Sequence, residues 1–245
     1  MKIDICMTAV RRPDLLKTTL DSFQENLFSN FVVECAYVNL DPAFGDASDE
    51  ASCEEVLRSM FPRVQIRKPE TPSFGAAVKW LWGQAADNVM FHMEDDWICL
   101  EHMDPQDIEP FLRKGYDAVA PLTIEHHWKR RYPYLTDKEA WFSLFGKTIY
   151  RRVSALGTSP KFILPAFANA VAELLIPSLD PEKQQARDIN PALAELVQSR
   201  KCAVLTRGKR TPMIRDIGRA WAAEVGISKV VTGGETVWNK ENPTL

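Results

Sequence analysis

Apolar residues recur along the first hundred positions of the chain with two alternating periods. Short apolar runs of strand length predict β-strands over residues 3–8, 31–40, 64–67 and 89–93. Between these runs, apolar residues at helical spacing predict helices over residues 13–26, 53–60 and 74–86. Helices that alternate with strands require crossover connections, so the pattern predicts an α/β fold with a Rossmann-like, mostly parallel sheet flanked by helices.

The second half of the chain has a less regular pattern. A further strand is predicted over residues 202–205, and a basic loop with Arg207, Lys209 and Arg210 follows it. Apolar positions at helical spacing then predict an amphipathic helix, with one face formed by Ile217, Ala220, Trp221 and Val225.

Composition and charge narrow the class of protein. With 245 residues, 45% of them hydrophobic, the chain can bury a sizeable core. Its net charge of -3 excludes a global field that would draw it onto nucleic acid or an anionic membrane, while local charged patches remain possible. The five cysteines lack zinc or disulfide spacing, so we expect reduced, buried thiols. No stretch approaches the ~20 apolar residues that span a bilayer and no signal peptide is present, which predicts a cytoplasmic protein.

Three consecutive carboxylates interrupt the apolar run VMFHMEDDWICL, at Glu94, Asp95 and Asp96. They follow a predicted strand, and parallel sheets bind ligands at the carboxyl ends of their strands. Oxygen ligands in such a place suit a hard divalent cation. An acidic turn exposed to water is the alternative, although the apolar residues on both sides of the triplet favour the metal site.

Four segments in order resemble the family 2 glycosyltransferases of GT-A fold: MTAVRRPDLLKTTLDSF, VNLD, SFGAAVKWLW and MEDDW. The resemblance covers about the first 125 residues well. It implies a single GT-A-like domain over residues 1–245, with a nucleotide-sugar-binding half at 1–125 and an acceptor-binding half with a C-terminal flap at 126–245. The activity that it implies is transfer of a sugar from a nucleotide-sugar donor, with a UDP-sugar favoured, to an acceptor hydroxyl.

The same resemblance implies a cofactor and a donor site. The acidic triplet stands in the place of the family's DxD motif, which binds Mn²⁺ or Mg²⁺ between the two phosphates of the donor. Asp96 would be the direct metal ligand, with Glu94 as a second, while Glu94 and Asp95 would also support the donor. The other candidates for donor binding follow the predicted strands or open a helix, and they are Thr8, Ala9, Arg11, Asp41, Arg67, Gly75 and Lys79.

Inverting members of the family use a carboxylate from the second half of the chain as general base. The segment FANAVAELLIPSLDPEKQQAR offers Glu173, Asp180 and Glu182. Glu173 lies within a helical apolar pattern, so we favour Glu182, with Asp180 second. The alternative for this pair is structural, because Asp-Pro followed by an acid is also typical of a helix N-terminus.

The most unusual composition lies at residues 126–152, where seven Lys and Arg face two acids among many aromatic residues. Rings interleaved with cations can stack on sugars or bases while the cations contact phosphate. We predict acceptor binding by Trp128, Lys129, Arg130, Arg131 and Trp141. An anionic acceptor fits, either a glycan or the hydroxymethylated bases of phage DNA. Packing in the core is the alternative for each aromatic residue.

Two functions of other classes stay open. A sugar-phosphate nucleotidylyltransferase shares this order of strands, but it needs a glycine-rich turn after the first strand, and the segment TAVRRP contains no glycine. A noncatalytic carbohydrate-binding module would keep the fold without turnover. The predicted order is glycosyltransferase, then nucleotidylyltransferase, then binding module.

Overall fold

The computed structural model describes residues 1–123, 134–145, 147–206, 211–232 and 235–240. Its strands are β1 (Lys2–Val10), β2 (Val32–Asp41), β3 (Val64–Arg67), β4 (Val89–Glu94), β5 (Trp97–Cys99), β6 (Ala118–Pro121), β7 (Thr136–Leu144), β8 (Lys147–Ser154), β9 (Lys161–Ile163), β10 (Cys202–Leu205), β11 (Ile214–Asp216), β12 (Ile227–Thr232) and β13 (Glu235–Lys240). Its α-helices are α1 (Pro13–Asn26), α2 (Ala47–Met60), α3 (Phe74–Trp82), α4 (Pro105–Arg113), α5 (Pro165–Leu174), α6 (Pro191–Ser199) and α7 (Gly218–Glu224). Short 3-10 helices span Phe28–Asn30 and Lys183–Gln185.

Seven strands form the central sheet in the order β10-β6-β9-β4-β1-β2-β3. All neighbouring pairs are parallel except those of β9, which runs antiparallel to both β4 and β6. The order reverses beside β1, so the carboxyl ends of β1 and β4 border a crevice of the kind that binds ligands in open α/β sheets. The predicted α/β fold with a mostly parallel sheet is confirmed.

Helices cover both faces of this sheet. Side chains alternate along β1, so that Ile3, Ile5 and Met7 pack in one apolar cluster with α1 and α2, whereas Cys6 packs in a second with α3 and α5. This alternation places the sheet between two helical layers. All five cysteines are free and buried, as predicted. Among the described residues, no helix is long and apolar enough to cross a bilayer.

Local chemistry explains where the predicted boundaries were wrong. Helix α1 and strand β3 have the predicted bounds, but α2 begins at Ala47, well before residue 53. Asp46 starts it early with a capping box, in which Asp46 accepts from the backbone of Asp49 and the Asp49 side chain accepts from the backbone of Asp46. Helix α3 ends at Trp82 instead of 86, and Gly83 follows it.

The C-terminal segment returns to the acidic triplet through a separate two-stranded sheet. Strand β11 pairs antiparallel with β5, which directly follows the acidic triplet, and α7 continues from it. The predicted apolar face of this helix is wrong, since Ala220 and Val225 are exposed while Gly218 is buried. The reason is that Ile217 and Val225 lie just outside this short helix, and that Trp221 is the predicted residue through which it packs, against Arg12 and Phe44.

Candidate functional site

A cavity of about 1600 Å³ lies at the carboxyl ends of the central strands. Its lining includes Arg12 after β1, Glu94 and Asp96 after β4, and Asp216 from the C-terminal segment. Glu182 lines it from the loop after α5, and the base of the β7–β8 hairpin forms another wall. The cavity therefore brings together residues that are far apart in the sequence.

Asp95, the central residue of the acidic triplet, ties β4 to the end of β1. Its backbone N–H donates to the carbonyl of Thr8, and its Oδ2 accepts from the backbone N–H of Val10 at 3.0 Å. The carboxylate is 3% exposed, and its Oδ1 accepts from the guanidinium of Arg12 at 2.5 Å. A donor contact is predicted for Asp95 from the sequence, whereas in the structure both of its oxygens accept hydrogen bonds from within the protein, and the described residues that line the cavity do not include it.

Arg12 is a site residue that the sequence prediction missed. Its guanidinium also donates to Asp96 at 3.3 Å and lies against two rings, 4.7 Å from the centre of Trp221 and 5.9 Å from that of Phe44. Burial opposes its charge, but the two carboxylates outweigh burial and raise the pKa of Arg12. The signal in the sequence was Pro13, which holds the preceding residue out of the helix and at the end of the strand.

Arg11, for which a donor contact is predicted, lies in a different contact. Its guanidinium forms a salt bridge with Glu50 of α2 at 2.6 Å. This pair joins the end of β1 to α2. The chain bends at Arg11, where the backbone N–H of Arg12 donates to the carbonyl of Val10, and after this bend it is Arg12 that contacts the acidic triplet.

Asp96 is packed beneath the C-terminal segment. Its carbonyl accepts from the backbone N–H of Ile217 at 2.8 Å. A Cβ on Gly218 would stand 2.2 Å from Asp96 Oδ2, so this approach requires glycine. Burial and the neighbouring carboxylates of Asp95 and Asp216 raise the pKa of Asp96 to about 7, although Arg12 opposes the shift.

The acidic residues at the edge of the cavity suit the positive charge of a divalent cation, but the protein supplies few ligands for it. Within the described part of the chain, no three His, Cys, Asp or Glu side chains are grouped to hold a metal ion by themselves. Glu94, Asp96 and Asp216 nevertheless line one cavity, in which Arg12 is already paired with Asp96. This excess of negative charge, expressed in the raised pKa of Asp96, is what a bound cation would offset.

Four predicted donor-site residues lie beside this cavity at the ends of neighbouring strands. Thr8 and Ala9 are buried near the end of β1. Asp41 is buried at the end of β2, where it accepts from the Asn39 side chain at 2.8 Å, and burial raises the pKa of its carboxyl despite this bond. Arg67 ends β3, donates to the carbonyl of Ala76 and lies 5.6 Å from the Trp80 ring. The described residues that line the cavity include none of these four.

Gly75 allows close packing between the start of α3 and the loop after α5. A Cβ at this position would stand 2.3 Å from the carbonyl oxygen of Leu179 and 2.5 Å from that of Pro177. Nearby, Ser73 caps α3 and donates to Pro177 as well. The anion contact that is predicted for Gly75 is thus replaced by a contact between two segments of the protein.

Lys79, for which a donor contact is predicted, also has other partners in the structure. Its ammonium donates to the carbonyls of Ala172, Glu173 and Leu175, at 2.7, 3.1 and 2.8 Å. A lysine has three donors, and these carbonyls at the end of α5 use all of them. Lys79 caps α5 from α3 and has no donor left for a phosphate, in contrast to the predicted role.

Glu182, the favoured general base, is held in a fixed orientation at the cavity wall. Its Oε1 accepts from the backbone N–H of Thr158 at 2.8 Å and from the Thr158 hydroxyl at 3.0 Å. Gly157 forms the turn that presents Thr158, with φ of 68°, a conformation that favours glycine. Thr158 positions the carboxylate of Glu182, and no pattern in the sequence predicts this contact.

Asp180 has the structural role that the sequence offered as its alternative. Its Oδ1 accepts from the backbone N–H groups of Glu182 and Lys183, at 2.9 and 3.2 Å. These bonds cap the short helix Lys183–Gln185. The other candidate, Glu173, lies on an exposed position of α5, as the helical pattern predicts. Of the three acids, Glu182 is the one whose geometry suits a base.

A buried cation lies behind Glu182. Lys161 of β9 is fully buried, and its ammonium donates to the carbonyl of Ser159. Burial lowers the pKa of Lys161, while the negative charges of Glu182 and Glu94 oppose this shift. Its neighbour across the strand pair is His92, whose pKa burial lowers to about 3. Lys161 therefore balances part of the negative charge at the back of the cavity.

Only one of the predicted acceptor residues lies within the described residues. Trp141 is on β7, is 62% exposed and lines the cavity. Trp128, Lys129, Arg130 and Arg131 lie outside the described residues, and so do Arg207, Lys209 and Arg210 of the predicted flap.

We expect Arg12→Ala to lower the free energy of unfolding by about 3–5 kcal/mol, because it leaves the buried carboxylate of Asp95 without its cation. Urea unfolding measures this loss. Arg58→Ala is the control, since Arg58 pairs with Glu54 at the surface and its loss should cost only about 0.5 kcal/mol. Similar losses for the two variants would contradict the structural role of Arg12.

Comparison with known proteins identifies the fold. The sequence matches no protein-family model and no curated protein. Among solved structures, S. aureus TarS has a TM-score of 0.53 at 13% identity, over 92% of this chain and 40% of TarS. TarS 1–349 with UDP-GlcNAc has a TM-score of 0.53 at 12% identity, over 88% and 58% of the two chains, and the complex with UDP has 0.52 at 14%, over 88% and 60%. The chain thus spans 40% to 60% of these TarS structures, and the similarity shows a shared fold.

Proposed function

We propose that the protein is a glycosyltransferase that moves a sugar from a nucleotide-sugar donor to an acceptor hydroxyl. The observation that carries this proposal is the cavity that combines an acidic strand end, Glu94 and Asp96, with the fixed carboxylate of Glu182. The fold supports it, since structures of TarS, which share this fold, hold UDP-GlcNAc and UDP. The proposed donor is a UDP-sugar, and the proposed donor site is of GT-A type.

Donor binding in this proposal depends on Mn²⁺ or Mg²⁺. Asp96 and Glu94 would hold the ion, and Asp216 lies close enough to Asp96 to add negative charge. Such ions are commonly bound by one or two carboxylates together with substrate phosphates, which agrees with the small set of protein ligands. When bound, the ion would stabilise the negative charge that develops on the leaving diphosphate.

Glu182 accepts the proton of the acceptor hydroxyl in this proposal. Within the part of the chain that the structure describes, both hydrogen bonds to its carboxylate end on Oε1, which leaves Oε2 to accept a proton. Thr158 prevents the carboxylate from turning, so the accepting oxygen is oriented before the acceptor arrives. Direct attack by the activated hydroxyl makes the reaction inverting.

The base and ribose of the donor are proposed to lie against the ends of β2 and β3. Asp41 there can accept from a ribose hydroxyl or a base, and Arg67 can stack or donate. These two residues end neighbouring strands, and Arg67 pairs with Asn39, two residues before Asp41. Selectivity among nucleotides should therefore depend on Asp41 and Arg67.

We expect UDP to bind in the presence of Mn²⁺ and to lose most of its affinity when a chelator is added, because the diphosphate would otherwise meet the carboxylates of Glu94 and Asp96 directly. Titration calorimetry with UDP and GDP, each with Mn²⁺ and with chelator, measures this dependence. Equal affinity with and without the metal would reject the metal-dependent donor site.

Release of UDP from nucleotide sugars discriminates between the three classes. A glycosyltransferase releases the nucleoside diphosphate, a nucleotidylyltransferase forms pyrophosphate from a triphosphate, and a binding module does neither. Screening donor hydrolysis across nucleotide sugars also identifies the sugar. For the acceptor, transfer to an anionic glycan is the proposal, and hydroxymethylated DNA is the alternative that a gel shift at low salt and a transfer assay on modified duplex would test.

A further inference from the structure

The outer half of the β7–β8 hairpin carries an unusual concentration of exposed apolar side chains. Among the described residues, ten large hydrophobic side chains are exposed, and five of them fall within residues 141–150. They are Trp141, Leu144, Phe145, Ile149 and Tyr150. Exposed apolar groups are normally scattered singly, so a cluster of this kind marks a surface that contacts another body.

The apolar side chains surround the hairpin instead of forming one flat face. Ile149 and Tyr150 are neighbours on β8, and neighbouring side chains of a strand point to opposite faces. Both are exposed, at 39% and 59%. A protein partner that covered one face of the ribbon would leave the other in water, whereas a bilayer surrounds an inserted hairpin on all sides.

Residue types also change in order along the hairpin. Phe145, 94% exposed, and Leu144 lie at the tip. Behind the pair Ser143–Thr148 follows Ile149, and one pair further towards the base come Tyr150 and, at a register shift, Trp141. Tyr and Trp are the residues that favour the interface between lipid and water, while Phe and Leu favour the acyl chains. The order from tip to base is therefore that of a bilayer from its interior outward.

Basic residues lie at the base of the hairpin, behind the aromatic residues. The pairs Glu139 with Arg151 and Lys138 with Arg152 follow Ala140 with Tyr150 in the strand register. Residues 136–154 hold four Lys and Arg against two acids, and one of these acids, Glu139, is bound by Arg151, Arg187 and Gln198. Lys147 lies near the tip, where a long side chain can extend its charge back to the headgroups. This pattern of charge favours an anionic lipid surface.

We propose that the β7–β8 hairpin is a membrane-docking element that inserts its tip into the headgroup region of an anionic bilayer. Phe145 and Leu144 reach the acyl chains, Trp141 and Tyr150 lie at the interface, and the basic residues contact lipid phosphates. The base of the same hairpin walls the cavity, so docking brings the cavity next to the lipid surface. On the proposed function, this position suits an acceptor that is attached to a lipid.

Vesicle co-sedimentation tests the docking element. We expect the protein to sediment with vesicles of phosphatidylcholine and phosphatidylglycerol at low salt, and much less with phosphatidylcholine alone. Changing Leu144 and Phe145 together to Asp should weaken this binding by at least about tenfold, since charges are strongly disfavoured in the apolar layer. Val32→Asp is the matched control, because Val32 is 54% exposed at the start of β2, which four strands of the sheet separate from β10 beside the hairpin, and it should not alter sedimentation.

Two further readouts separate this proposal from its competitors. Lys147→Glu should weaken binding to the anionic vesicles but not the weaker binding to vesicles of phosphatidylcholine. This variant checks the role of charge independently of the apolar tip. UDP calorimetry on the Leu144 and Phe145 variant should be unchanged, so that a failure of donor binding is not confused with a failure of docking. Absence of sedimentation with anionic vesicles, or equal sedimentation of the tip variant, overturns the proposal. A dimer that dissociates in the tip variant, with no vesicle binding, would assign the tip to self-association instead.

Discussion

Replacement of Glu182 by Gln is expected to lower the rate of sugar transfer by about 10²–10⁴ while leaving donor binding unchanged, since this is the contribution of a positioned general base. Gln keeps the acceptor oxygen for the bonds from Thr158, so the loop should keep its conformation. What it loses is the ability to take a proton. Transfer rates and UDP calorimetry on the same preparation measure the two effects separately.

Two other acids act as controls for the assignment of the base. Glu173→Gln changes an exposed residue of α5 and should leave transfer unchanged. Asp180→Ala removes the cap of the short helix that follows Glu182, so it should lower stability by about 1 kcal/mol and affect transfer only through the position of that loop. A loss of rate in Glu173→Gln equal to that in Glu182→Gln would move the role of base. A product with retained anomeric configuration would reject direct attack altogether.

The order of strands and helices could be predicted from the sequence because each element has its own period. Strand β1 and helix α1 illustrate this, since the helix has the predicted bounds and the strand contains the predicted residues 3–8. The position of the acidic triplet at a strand end follows from the same pattern. Local information was sufficient wherever the property concerned a single segment.

The role of each polar residue depended on partners distant in the sequence. Lys79 looks like a free cation on a helix, but it caps α5, some ninety residues further along. Asp216 lies beside Asp96 only because β11 pairs with β5, which is distant from it in the sequence. Arg11 and Arg12 are identical in type and adjacent, and only the direction of the backbone decides which of them meets the triplet. No pattern in one segment carries this information.

The surface of the β7–β8 hairpin could likewise be predicted only in part from the sequence. Its basic and aromatic composition identifies residues 126–152 as a contact surface in the sequence, where core packing is the alternative for each ring. The structure leaves Trp141 and Tyr150 exposed, which decides against core packing for these two residues. The order of apolar, aromatic and basic residues from tip to base is visible only when the strand register is known.

Asp96→Asn is expected to abolish the metal-dependent part of UDP binding, by about 10² or more in affinity, since even groups that support a metal ligand contribute about 10–100-fold. Asn has the same shape, so the contacts with Gly218 and Ile217 remain possible. Glu94→Gln should cause a smaller loss, because Asp96 is the proposed direct ligand. Calorimetry with Mn²⁺ and with chelator measures each variant, and a variant whose metal-dependent affinity equals that of the unmodified protein would reject Asp96 as the ligand.

A stability measurement distinguishes a lost ligand from a damaged fold. The folded-state pKa of Asp96 is raised to about 7, above its value near 4 in an unfolded chain, so the folded state holds the proton more tightly. Stability therefore falls as the pH rises from about 4 to about 7, where the carboxylate becomes charged beside Asp95 and Asp216. Asn carries no charge, so without metal the variant should be at least as stable as the unmodified protein at pH 8, and the difference should vanish near pH 4. Loss of UDP binding together with a gain in stability is the combination expected of a residue kept for its ligand and not for the fold.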